Sequence, residues 1–364
     1  MAERDSDTFI CDDIAARAGA ADRHDGSLED DIAALRDAGW LKACLPSADG
    51  GTGWGSEPSG TQAAFDALRK LGRANLSTAR LFEGHMNAVK LVQLYAEGGV
   101  RTRAFEAVRN GALLGVWGAD DADHPASLGI GEGTATLSGA KRFASGLGLV
   151  EQAVIAVKTE AGLRLLLVPT GDAARADTSA WRVGGMRATA SGTFDLTGLT
   201  VPAANILGRR DDYLIEPHFE GGIWRYCAAH LGAAEALYEA MRGGLLERER
   251  AHDPHQQKRL VDCAIAVETA RMWILRAANA VEAAGSKPEE AALSLLAREV
   301  TEHSCLLVMG RVESALGMSA YVEGTIVERT CRDLRLFLRQ AAPDAKRARA
   351  AQALLSGSGT VEDL

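Results

Sequence analysis

Near the C-terminal end, Arg329, Arg332, Arg335 and Arg339 follow one another at spacings of three, three and four, with Glu328 and Asp333 among them. On a helix this spacing stacks four cations on one face. Such a face is either solvated and salt-bridged, or an anion site for a nucleotide phosphate. A second cluster, His252, Asp253 and His255, has the residue types of a metal site, but Pro254 interrupts helical presentation and no further ligands lie nearby. No metal is expected there. The glycine-rich run LPSADGGTGWG at 45–55 has neither a following GKS/T nor a preceding strand, and GIGEGT at 129–134 lies between strands. Neither is a nucleotide fingerprint; the second reads as a turn. His85 shares a stripe with Leu81, Ala88 and Val92, which gives it a core or interface role.

The elements that must position these groups fall into three segments. Residues 1–112 read as helices: Ser27 and Asp30 form a capping box before Leu28, Ile32 and Leu35, and Gly39 supplies a left-handed stop. A second helix carries Phe65, Leu68 and Leu71 before Gly72, and a third runs from about Ser77 to Ala96. Residues 113–212 turn to strands, with Val154–Thr159 and Leu163–Val168 joined as a hairpin and Pro169 closing the second. Residues 213–364 are helical again. Ile223, Cys227, Leu231, Ala234, Tyr238 and Met241 form one apolar stripe, and Leu260, Cys263, Val267, Ala270 and Ile274 another. Those are the seams of packed antiparallel helices. The fold class expected is α+β: an N-terminal helical domain, a central antiparallel β domain and a C-terminal four-helix bundle.

Bulk properties narrow the function. A chain of 364 residues with 47% apolar content can bury a large core. A formal charge of −9 argues against a general nucleic-acid binder. The six cysteines show no CxxC pairing and no basic-apolar-small segment opens the sequence, so a cytoplasmic location is expected. No apolar run approaches the roughly 18–20 residues of a membrane span, so no membrane partner is expected.

The stretch Glu313–Arg347 resembles the C-terminal region of the acyl-CoA dehydrogenase family, which reads GGxGYxxxxPVERxxRDxRxxxIYEGTxEI. Gly317, Tyr321, Glu328-Arg329 and Arg332-Asp333 match it without a gap. Further upstream, Gly139-Ala140-Lys141-Arg142-Phe143-Ala144-Ser145 is similar to the family's GxKxWITN, and Gly185-Met186-Arg187 to its exit from the β domain. The resemblance implies FAD as cofactor. Phe143 would take the place of the aromatic packed on the flavin ring, and Ser145 that of the hydroxyl at its edge. Trp117 and Ala119 would lie on the flavin-contacting strand. Arg248 or Arg250 would reach a phosphate, with Arg250 preferred, and Gly317 completes the cofactor set. Read without the family, Trp117 and Phe143 are large apolar residues of a β core.

The family's catalytic Glu falls on Ala341, and its YEGT is replaced by Gln340-Ala341-Ala342-Pro343. That Glu removes the α-proton of an acyl thioester, which alanine cannot do. Glu220, one helical turn before the position that carries the base in some relatives, is the candidate replacement, with Asp344 behind it. Three functions follow. The first is an FAD-dependent oxidoreductase acting on acyl-CoA or a related thioester with a displaced base, passing electrons to a partner protein or oxygen. The second is a flavin monooxygenase of the same fold, needing no α-proton base. The third is an inactive binding or assembly relative. The resemblance also implies a homodimer or homotetramer.

Overall fold

The computed structural model describes residues 6–23, 25–340 and 342–356. Helices come first: α1 Ser6–Ala21, α2 Glu29–Asp37, α3 Trp40–Ala43, α4 Thr61–Ala74, α5 Leu76–Tyr95 and α6 Gly98–Arg109. Short strands follow: β1 Leu114–Trp117, β2 Ser127–Ile130, β3 Thr134–Ser138, β4 Ala140–Ala144, β5 Gln152–Thr159, β6 Gly162–Pro169, β7 Ala176–Asp177, β8 Gly192–Asp195, β9 Leu199–Pro202 and β10 Ile206–Leu207. The chain closes with α7 Trp224–Glu247, α8 Pro254–Val281, α9 Ala291–Leu316, α10 Ile326–Phe337 and α11 Pro343–Ser356. This is an α+β fold with the strands inserted between two helical halves.

The strands make three small sheets, ordered β1-β5-β6-β10, β2-β3-β9 and β4-β8-β7. Pairing is antiparallel except between β1 and β5, where Leu114 lies opposite Gln152 and Trp117 opposite Ile155 in parallel register. The excursion through β2, β3 and β4 gives the chain room to return in the same direction. GIGEGT is the β2–β3 turn, as its position between strands implies.

Several local expectations shift for physical reasons. The Ser27–Asp30 capping box does not form; Ser27 Oγ instead accepts from the Glu29 amide at 3.0 Å. Asp30 is one methylene shorter than the Glu or Gln that reaches back in such a box. Helix α4 runs through Gly72 because that glycine sits at the crossing with α7. A Cβ there would lie 2.0 Å from the Ala229 carbonyl oxygen, and one at Gly232 would lie 1.9 Å from that of Arg69. The two backbones touch where no side chain fits. Asp253 caps α8, accepting from the amides of His255 at 2.8 Å and Gln256 at 3.4 Å. Its carboxylate therefore serves the helix start.

His85 ties the first helical domain to the sheet. Its Nε2 lies 3.0 Å from the Leu41 carbonyl oxygen, and its Nδ1 accepts from the Leu114 amide at 3.0 Å. Burial lowers its pKa to about 4, so the ring is neutral and bridges α3 and β1. Three of the four arginines of that face resolve into ion pairs. Arg332 binds Glu328 at 2.8 Å and Asp22 at 2.5 Å, Arg335 pairs with Glu313, and Arg339 pairs with Glu302 beyond the end of α10. The helix stops at Phe337, before the left-handed Ala342 and Pro343.

Candidate functional site

Where the strands meet the two helical halves there is a cavity of about 660 Å³. Its β side comes from the end of β1, from β4, and from the loop between β7 and β8. Strand β4 shifts register against β8 between Lys141 and Ala144, and within that bulge Phe143 adopts a left-handed backbone at φ 56°. A left-handed phenylalanine is uncommon and costs free energy. Its effect is to leave the ring 51% exposed on the cavity wall, edge-on to Trp181 with centroids 6.3 Å apart. Arg142 stacks its guanidinium 4.5 Å from the Phe143 ring centre and forms no ion pair among the described residues.

The neighbouring loop is strained as well, with Met186 at φ 55° and Ala190 at φ 42°. Helix α10 holds it. The buried Asp333 carboxylate accepts from the Met186 amide at 2.5 Å, and Gly185 packs so closely on Arg332 that a Cβ would lie 2.3 Å from its carbonyl oxygen. Burial raises the Asp333 pKa to about 6, against the pull of the Met186 amide. The loop aligns a row of hydroxyls along the wall: Thr189 and Ser191 lie 2.8 Å apart, and Ser191 donates to Ser145 Oγ at 3.1 Å. Trp117 Nε1 donates to the Ser145 carbonyl oxygen at 3.1 Å, which locks the indole into the same wall. Lys141, fully buried behind it, bonds Asp120 at 2.5 Å and the Gly118 carbonyl at 3.4 Å, so it anchors the strand end rather than facing the cavity.

The helical side is charged. Arg80 pairs with Glu83 at 2.6 Å, and Lys90 pairs with Glu282 at 3.2 Å. Glu282 also takes Arg225 at 2.5 Å and the Trp224 indole N–H at 3.2 Å. Burial pushes the Glu282 carboxyl up, but the charges of Arg225 and Lys90 outweigh it and hold the pKa below its ordinary value. His218 is pushed down by burial and by Lys90, so it stays neutral near pH 7. Phe337 and Tyr226 add apolar surface, and the Tyr226 hydroxyl is buried beside the Arg298 side chain.

The structure brings Trp117, Ala119, Phe143 and Ser145 together on one wall. It does not bring Glu220, Arg250 or Gly317 to this cavity. Glu220 is buried outside the lining, with Lys346 at 3.5 Å and Arg349 beside it. Arg250 lies at the α7–α8 turn, paired with Asp253 at 3.3 Å, and Gly317 ends α9. Asp344 is exposed and faces Arg347 at 3.8 Å. Ala341 lies outside the described residues, while its neighbour Gln340 lines the cavity. Sequence reasoning missed Trp181, Thr189, Ser191, Lys90 and Lys346. For the hydroxyl pair a signal existed, since Thr189 and Ser191 closely follow the recognised Gly185-Met186-Arg187.

Residues 215–338 match the model of the acyl-CoA dehydrogenase C-terminal domain. A probable FMNH2-dependent monooxygenase, SfnC of Pseudomonas putida, is 25% identical over 279 residues, spanning 70% of this chain and 67% of the relative. Among solved structures, FMN-bound TdsC from Paenibacillus sp. A11-2 superimposes with a TM-score of 0.83 at 19% identity, covering 96% of both chains. Methanesulfinate monooxygenase MsuC from Pseudomonas fluorescens does so with a TM-score of 0.83 at 20% identity, covering 97% of both. The chain thus carries the acyl-CoA dehydrogenase-like fold, and residues 215–338 of its C-terminal helical part match that family's C-terminal domain.

Proposed function

We propose that this protein is a flavin-dependent monooxygenase that uses reduced FMN delivered by a separate reductase, and not an acyl-thioester dehydrogenase. One observation carries the reading. The cavity joins an aromatic and hydroxyl wall suited to a flavin ring with no free carboxylate among the described residues that could remove an α-proton. Glu83, the carboxylate on the lining, is bound by Arg80 and by Asn87.

The wall fits the cofactor on its chemistry. Phe143 and Trp181 offer ring surface with Trp117 packed behind them, Ser145 offers a hydrogen bond to a polar ring edge with Thr189 and Ser191 bracing it, and Arg142 is a cation suited to a phosphate. FMN replaces the expected FAD in this reading because FMN appears in the names of the relatives. When bound in reduced form, a flavin supplies the two electrons for dioxygen cleavage, one oxygen atom entering the substrate and the other leaving as water. The chain's contribution is to hold the ring, exclude water with Tyr213, Phe219 and Phe337, and orient the substrate from the helical side. Exposed apolar side chains on α8, Val261, Ile265 and Met272, support a homo-oligomer.

The test couples the protein to FMN, NADH and a separate flavin reductase under isotopically labelled oxygen, with a panel of sulfinates, thiophenes and indoles. The expected result is label in at least one product together with reduced peroxide release. Flavin bleaching by an acyl-CoA without oxygen would overturn the proposal.

A further inference from the structure

We infer that the helical half of the cavity takes a substrate with an anionic head group, an oxyanion such as a carboxylate, sulfonate or phosphate. The inference deepens the monooxygenase reading and rests on it for the reaction, but not for the binding.

Three ionic clusters border this half: in the first two the cations outnumber the paired carboxylates by one, and in the third Arg298, Arg339 and Arg347 are matched by Glu302, Glu299 and Asp344. Glu282 is shared by Arg225 and Lys90, and Glu220 by Lys346 and Arg349. Glu302 takes Arg298 and Arg339, while Glu299 takes Arg298 and Arg347. Every cluster sends a cation to the cavity lining: Lys90 and Arg225 from the first, Lys346 from the second, Arg339 from the third. Lys90 and Lys346 have little contact with solvent, at 13% and 9% side-chain exposure, so bulk counterions screen them poorly. A second observation is independent of this charge balance. Arg225 is 3% exposed and its Nε has no hydrogen-bond partner. Buried donors are ordinarily satisfied. A donor surplus and a charge surplus on the same lining are both relieved by a single oxyanion.

The test is isothermal titration of the FMN-loaded protein with a phenylalkyl carboxylate, the matching sulfonate and phosphate monoester, and the neutral amide. It is repeated on Lys90→Met and Lys346→Met, with FMN affinity measured separately by fluorescence. At least one anion is expected to bind about tenfold tighter than the amide. Each variant should lose about tenfold toward that anion, keep its amide affinity, and hold FMN within about twofold. The tightest anion identifies the head group. Equal binding of amide and anions, or no anion binding at all, would overturn the inference, as would variants that lose FMN instead, since the cations would then serve the cofactor. Because the two variants lie on different elements, α5 and α11, misfolding of one leaves the other to decide. Should the protein not bind FMN, the same titrations on the flavin-free protein still decide the anion question, so the two readings fail separately.

Discussion

On the β side of the cavity, Trp117, Phe143, Ser145, Thr189 and Ser191 present rings and hydroxyls, and Arg142 is the cation among them. On the helical side, the lining carries Arg80, Lys90, Arg225, Arg339 and Lys346, with Glu83 as its carboxylate. The first side is shaped by backbone: a bulge that turns Phe143 outward and a strained loop docked on α10. The second is shaped by charge, through carboxylates each shared between cations. Rigid shape suits a planar cofactor whose position must not vary, whereas surplus charge suits a ligand that comes and goes. A dehydrogenase would need a free carboxylate where the sides meet, and the described residues supply none.

Acid should loosen the packing behind the two sides first, at His230 on α7 against Phe337 and at His85 between α3 and β1, and this is the largest effect expected. Burial pushes His230 down to about 3 and His85 to about 4, so both are neutral in the folded protein and gain protons more readily when unfolded. Their contribution is intact above pH 6.5 and is lost as pH falls toward those values, at up to about 1.4 kcal/mol per pH unit for each histidine. Asp333, raised to about 6, works in the opposite sense and offsets part of the loss below pH 6. Denaturant melts at pH 7 and pH 5 check this, and His230→Leu should flatten the difference. Next in size, Phe143→Ala should weaken FMN binding by about 30-fold, roughly 2 kcal/mol of ring contact, with fluorescence titration as the readout. Asp333→Asn keeps an acceptor for the Met186 amide but removes its charge, so FMN should weaken by only about fivefold. Smallest of all, Glu220→Gln should leave turnover within about threefold, whereas removal of a catalytic base costs about 10² to 10⁴. Steady-state rates separate those outcomes, and a large drop would restore Glu220 as the base.

The two sides were unequally legible in the sequence. Helical stripes at 3.6-residue spacing and the hairpin at Glu160–Gly162 mark their elements directly, because burial imposes those periods. Trp117 and Phe143 drew notice through a family pattern. The left-handed backbone that turns Phe143 outward depends on a register shift against β8, which no local residue type encodes. Lys90 and Lys346 sit on helices far apart in the chain, and each looks like an ordinary surface lysine until tertiary packing buries its stem. The four-arginine face shows the converse. Its spacing was plain and favoured a solvated or salt-bridged face over an anion site, but its partners Asp22, Glu302 and Glu313 come from other segments of the chain, so spacing alone could not name them.

The measurement that bears most directly on the central claim is the visible spectrum of the FMN-loaded protein under anaerobic conditions. An acyl-CoA panel is added first, then a chemical reductant, then air. The expected record is bound yellow flavin untouched by any thioester, bleached by the reductant, and restored when oxygen enters. Bleaching by a thioester would mean that a base operates in the cavity after all, and would contradict the account.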